Sequence, residues 1–118
     1  MILEILSNEM NKLNLNYGYM RYSTPQYPYF VGEYSDNEYS YEDERTEGEI
    51  LLTGWSRNNF TELIDAKDLI KRHFANYKTI YSGTAVYIAY NNYIVIDSGE
   101  ADLYKIEIRL SVKEWKGA

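Results

Sequence analysis

The stretch Leu103 to Trp115, LYKIEIRLSVKEW, alternates apolar and polar residues without a break, and nothing else in the 118-residue chain limits its fold as strongly. Tyr104, Ile106, Ile108, Leu110 and Val112 fall on one side, and Lys105, Glu107, Arg109, Ser111 and Lys113 on the other. Side chains leave a strand to alternate faces, so the pattern predicts a long strand with one face on a core and one toward water or a partner. A helix would scatter the same five apolar residues around its axis. Ile106, Ile108 and Val112 are β-branched, which suits a half-buried pleated surface.

The rest of the chain supplies partners for that strand. Ile2, Leu3, Leu6, Met10 and Leu13 recur at spacings of three and four, predicting an amphipathic helix that NLNYG (14–18) ends as a turn. Short strands are expected at Tyr19–Tyr22 and at Tyr29–Tyr34, with Pro28 at the start of the second, where no ladder N–H is needed. Ile50–Trp55 has strand length. A second helix follows, with Asn59 as N-cap, Glu62 three residues on, and an apolar stripe of Phe60, Leu63, Ile64, Ile70 and Phe74. Asn76 suits the position just past its end. Val86–Tyr90 and Tyr93–Asp97 read as two strands joined at Asn91-Asn92, and SGEAD (98–102) as the turn into the final strand. The expected fold is α+β: one domain spanning residues 1–118, two helices packed on a mostly antiparallel sheet, and a closing three-stranded meander.

The net charge of −6 is concentrated. Asp36, Glu38, Glu42, Asp43, Glu44, Glu47 and Glu49 lie within one segment that holds a single base, Arg45, while the remainder of the chain is neutral. So much charge with so little aliphatic content predicts an exposed loop or protruding hairpin over 36–49. No basic run exists to grip a phosphate backbone, so tight nucleic-acid binding is not expected. Tyrosine is abundant, with 14 residues against three Phe and two Trp. Half-buried strands account for many of them, and a large ring with a polar tip also serves protein contacts. Tyr39, Tyr41 and Trp55 are the interface candidates, since they flank or interrupt polar sequence; for Trp55 a core position is the competing reading.

Catalytic chemistry finds little to build on. The absence of cysteine excludes disulfides, thiolate catalysis and Cys-based zinc sites. The only histidine, His73, sits near a helix end beside Arg72, where a helix-end cation or packed ring is the expected role. Asp97, Glu100 and Asp102 gather at a turn and are what turns contain. Glu42, Asp43 and Glu44 lack the spaced oxygen ligands and central glycine of an EF-hand loop. With no P-loop, GxGxxG, GxSxG or HExxH, no enzyme activity, cofactor or metal is expected. MILEILSNEM carries acids where a signal peptide has basic residues, and no apolar run approaches membrane-spanning length, so cytoplasm is the expected compartment of synthesis.

The order of these elements is itself informative. A short N-terminal helix, YGYMRY (17–22), PYFVGEY (28–34), a loop, a strand, the helix ELIDAKDLIKRHF (62–74) and a closing meander ending YKIEIRLSVKEW (104–115) resemble small tail proteins of long-tailed bacteriophages. The nearest group is the tail terminator, or tail completion, proteins. The acidic tract and GWSRNN (54–59) have no counterpart in that pattern, and head–tail connector and neck proteins share the size and position. The resemblance implies a ring-forming α+β subunit of the virion, commonly a hexamer. Such a ring caps the tail tube, meets the head–tail connector and lets DNA pass without holding it. The reading from another class is a small acidic inhibitor or immunity-type protein whose 36–49 tract meets a basic enzyme.

Overall fold

The computed structural model describes residues 1–19, 27–36 and 45–116. In chain order these form α1 (Ile2–Lys12), β1 (Asn16–Tyr19), β2 (Tyr29–Asp36), β3 (Arg45–Arg57), α2 (Phe60–His73), β4 (Tyr77–Tyr81), β5 (Thr84–Asp97) and β6 (Leu103–Lys116). The strands make one six-stranded sheet in the order β1-β2-β3-β6-β5-β4. Every neighbouring pair is antiparallel except β1 with β2. The α+β class read from the sequence is the observed one.

The alternation in β6 sets the two faces. Ile106, Ile108, Leu110 and Val112 are fully or almost fully buried, while Tyr104, at the strand's end, is 38% exposed. They pack with Phe30, Ile50, Leu52 and Ile88 of the neighbouring strands beneath Ile5, Leu6 and Met10 of α1, Leu63 and Ile70 of α2, and Phe74 just past its end. Both helices therefore lie on one face of the sheet. The Asn59 side chain accepts from the Glu62 amide at 3.0 Å, as the capping reading requires. The C-cap is Phe74 instead of a position near Asn76, because its ring is needed in the core.

Three glycines on this face form a floor for aromatic rings. Phe30 lies directly across from Gly54, and a methyl group on Gly54 would overlap the ring. Tyr17 covers Gly32 and Tyr34 covers Gly48 in the same way. Without a Cβ the strand lets a ring lie flat on its backbone, which joins strands through aromatic area where aliphatic side chains would stand apart.

Three local expectations are corrected. Asn91-Asn92 is not a hairpin turn: β5 runs straight through it with a bulge between Tyr90 and Asn92. β6 is long enough to pair with both halves, so sheet hydrogen bonds outweigh the local turn preference. The meander's real first strand is β4, which turns into β5 at Ser82 (φ 50°) and Gly83 (φ 78°), the two positive φ angles of a tight hairpin. NLNYG does end α1, with Asn14 at φ 59°, but strand β1 has already begun at Asn16. Of the two readings of the acidic segment, its described ends take the hairpin: Asp36 ends β2, Arg45–Glu49 opens β3, and Ser35 and Asp36 lie opposite Glu49 and Gly48. Glu47 and Glu49 fit a strand because they point away from the helices, with Glu47 on Arg45 at 2.7 Å and Glu49 on Arg109 at 3.4 Å.

Candidate functional site: the uncovered sheet face and the acidic pole

Helices on one face leave the other without a covering layer, and the strand alternation decides what it presents. Near one end of the sheet Trp55 of β3 stacks on Tyr29 of β2, centroids 4.9 Å apart, and Tyr27 lies 5.5 Å beyond. Cations border the group: Lys105 Nζ is 5.9 Å from the Trp55 ring and the Arg57 guanidinium 5.6 Å from the Tyr27 ring. Trp55 is thus half-buried on the uncovered face and is not one of the core residues. Tyr39 and Tyr41, the other interface candidates, lie outside the described residues.

The centre of this face is a charged lattice. Arg109 sits between Glu49 at 3.4 Å and Glu107 at 3.7 Å, and Val31 and Thr53, a cross-strand pair of β2 and β3, are buried on this face. At the opposite end from Trp55 the polar character sharpens. Ser35, Asp36, Glu47 and Glu49 line a shallow concavity at the end of the β2–β3 hairpin. Of the acidic candidates, Glu38, Glu42, Asp43 and Glu44 lie outside the described residues, while Asp36 and Glu49 are exposed and Glu47 is half-buried. The hairpin's base is anchored by Tyr34, whose hydroxyl donates to Glu114 at 2.9 Å across the intervening strand. Burial, and then that hydrogen bond, hold the Tyr34 hydroxyl well above the usual tyrosine range, so it stays a donor.

At the same pole and on the same face, adjoining the hairpin where Lys113 of β6 lies opposite Glu47 of β3, is a larger hollow of about 680 Å³. Ile80 of β4, Ala85 and Tyr87 of β5 and Trp115 of β6 give it an apolar lining, and Lys78 and Lys113 sit among them. Ile80 is 71% exposed, the most open large aliphatic side chain among the described residues. The hollow is not foreseen from the sequence, where no element is assigned to Tyr77–Tyr81; the Ser82-Gly83 pair was the available signal.

His73 finds a different use. Its Nε2 is 2.7 Å from Oε1 of Glu9, and Lys12 Nζ donates to the other carboxylate oxygen at 2.9 Å. Its ring packs against Phe74 and Tyr77. Burial would push the Glu9 carboxyl up, but the hydrogen bonds from Lys12 and His73 outweigh it, and the net shift is down from the ordinary 4.5. This cluster ties α1 to the end of α2. A depressed carboxyl contributes stability that is present above the unfolded value and is lost as pH falls through the folded one. Glu9→Gln should therefore lower stability by about 1–3 kcal/mol near neutral pH, a loss that shrinks at about pH 3, as urea melts at the two pH values will read.

The turn carboxylates are likewise occupied. Asp97 accepts from the Gly99 amide at 2.9 Å and Glu100 pairs with Arg57 at 3.1 Å. Among the described residues no three His, Cys, Asp or Glu groups converge as metal ligands, and no helix is long and apolar enough to cross a membrane. The arrangement offers surfaces for association: an aromatic and basic end, an acidic hairpin, and a lysine-bearing apolar hollow beside an edge strand. Compared with known proteins, the sequence matches no family model and no curated protein.

Proposed function

We propose that the protein is a structural subunit of the tail of a long-tailed bacteriophage, of the tail terminator or completion type. It assembles as a ring, caps the tail tube and meets the head–tail connector in the virion, and DNA passes it without being held. The observation that carries this reading is the edge strand β4, with Ile80 open to water beside an apolar hollow, at the opposite side of the sheet from the hairpin. The β4 edge of a single copy offers Ile80 and the hollow beside it to another copy. Distinct surfaces at two sides repeat from copy to copy, and closed repetition gives a ring. The order of helices and strands supports the same family, and the neutral body with one acidic segment suits a subunit that lets a duplex slide.

The acidic pole favours a second reading, an inhibitor that docks on a basic enzyme. Light scattering on the purified protein separates the two. A ring former shows a concentration-stable mass that is a large multiple of 13.9 kDa, whereas an inhibitor shows one or two copies.

A further inference from the structure

The second half of β5 reads Tyr93-Ile94-Val95-Ile96, apolar at every position. A strand wetted on one face alternates, whereas an unbroken apolar run is what a strand carries when both faces are covered. Here both faces are open. Ile94 lies opposite Glu107 on the uncovered face and is 42% exposed; Val95 lies opposite Ile106 on the helix side and is 58% exposed. The outer edge is open as well. β4 lies against β5 only from Thr84 to Ile88, and the Tyr90 amide donates to the Phe74 carbonyl at 2.7 Å. Beyond Tyr90, β6 pairs with one side of β5, and among the described residues no strand lines the other. Edges left in water are ordinarily blunted by lysine, proline or an inward charge, and none occurs between Asn91 and Ile96. We infer that the β5 edge from Asn91 to Asp97 is an interface that pairs, antiparallel and about a two-fold axis, with the same edge of a second copy of the chain.

The extent of the free edge fixes the register. Its midpoint is Ile94, so pairing that uses all of it sets Ile94 opposite Ile94 of the second copy. Tyr93 then faces the second copy's Val95, and Asn91 its Asp97. An aromatic ring beside a β-branched side chain is a favourable cross-strand pair, and the one charge in the segment meets an amide, so no like charges oppose each other. A two-fold axis perpendicular to the sheet keeps each face continuous, with the helices of both copies on one side and the two Ile94 side chains on the other. Ladder hydrogen bonds join the edges, and the apolar side chains they bring together set the fit. Such a contact is complete with two copies. It therefore goes beyond the ring reading and neither requires nor makes a ring.

The chain has no cysteine, so a single introduced thiol reads this register. Directly opposite residues of antiparallel strands have Cα atoms about 4.5–5.5 Å apart, within the span of a disulfide. Under mild oxidation the Ile94→Cys variant should form a disulfide-linked dimer at least about tenfold faster than Ile80→Cys, because pairing holds its thiols at high effective concentration. Ile80 is the more exposed of the two, so its variant reports random collision. Ile94→Lys sets two ammonium groups face to face across the axis. Its copies should separate at a protein concentration at least about tenfold higher than the parent's in sedimentation velocity, with an unchanged circular dichroism spectrum. Equal linking rates at the two positions, or a parent that sediments as the Ile94→Lys variant does, overturn the inference. Rings in negative stain would still carry the ring reading in that case. Fast linking through position 94 without rings leaves this contact standing and removes the ring.

Discussion

Ile108→Ala is expected to lower the unfolding free energy by about 2–5 kcal/mol, and Glu107→Ala, its immediate neighbour, by no more than about 0.5 kcal/mol. Ile108 is fully buried in the central strand β6, opposite Leu52 of β3 on one side and Tyr93 of β5 on the other. Truncation removes apolar area and leaves a hole that two neighbouring strands and a helix layer cannot close together. Glu107 points to the uncovered face, half-buried, 3.7 Å from Arg109. A partly exposed ion pair of that length adds little. Equal losses in denaturant melts would show that the faces of β6 are assigned wrongly.

Phe30→Ala carries an effect of similar size, about 3–5 kcal/mol, and a more specific signature. The Phe30 ring is fully buried and lies on the bare backbone of Gly54 across the β2–β3 pair. Gly54→Ala in the parent forces the ring off its floor and should cost about 1–3 kcal/mol by overpacking. Once the ring is gone the same methyl group enters space that Phe30→Ala has vacated. The double variant should thus be more stable than the sum of the single losses predicts, with a coupling of about 1 kcal/mol or more. Additive losses would mean that the ring and the glycine do not depend on each other.

Much of this fold was legible from periodicity, and the departures have physical causes. In β6 the alternation coincides with one helix-covered and one bare face, so local pattern and tertiary environment agree. Asn59 announced α2 because its side chain satisfies an amide that the helix itself cannot. Asn91-Asn92 misled because turn preference is local, whereas a long partner strand offers ladder bonds on both sides of it. Tyr77–Tyr81 was overlooked as strand because it is a short edge element, two of whose five residues are exposed and none fully buried. The acidic half of β3 reads as loop by composition alone, since its bases, Arg109 above all, come from a distant part of the chain. The link from Glu9 to His73, separated by 64 residues, carries no signal in a single sequence. For the candidate site, the sequence marked Trp55 and the acids; the hollow exists only once β4, β5 and β6 are paired, since its lining comes from all three.

On the proposed function, copies of this chain close into a ring. Negative-stain electron microscopy of the purified protein tests it most directly. Ring closure gives class averages of closed, rotationally symmetric rings with an open lumen, their perimeter built from side-by-side copies. Fields of single small particles at every protein concentration and at low and moderate salt would contradict it.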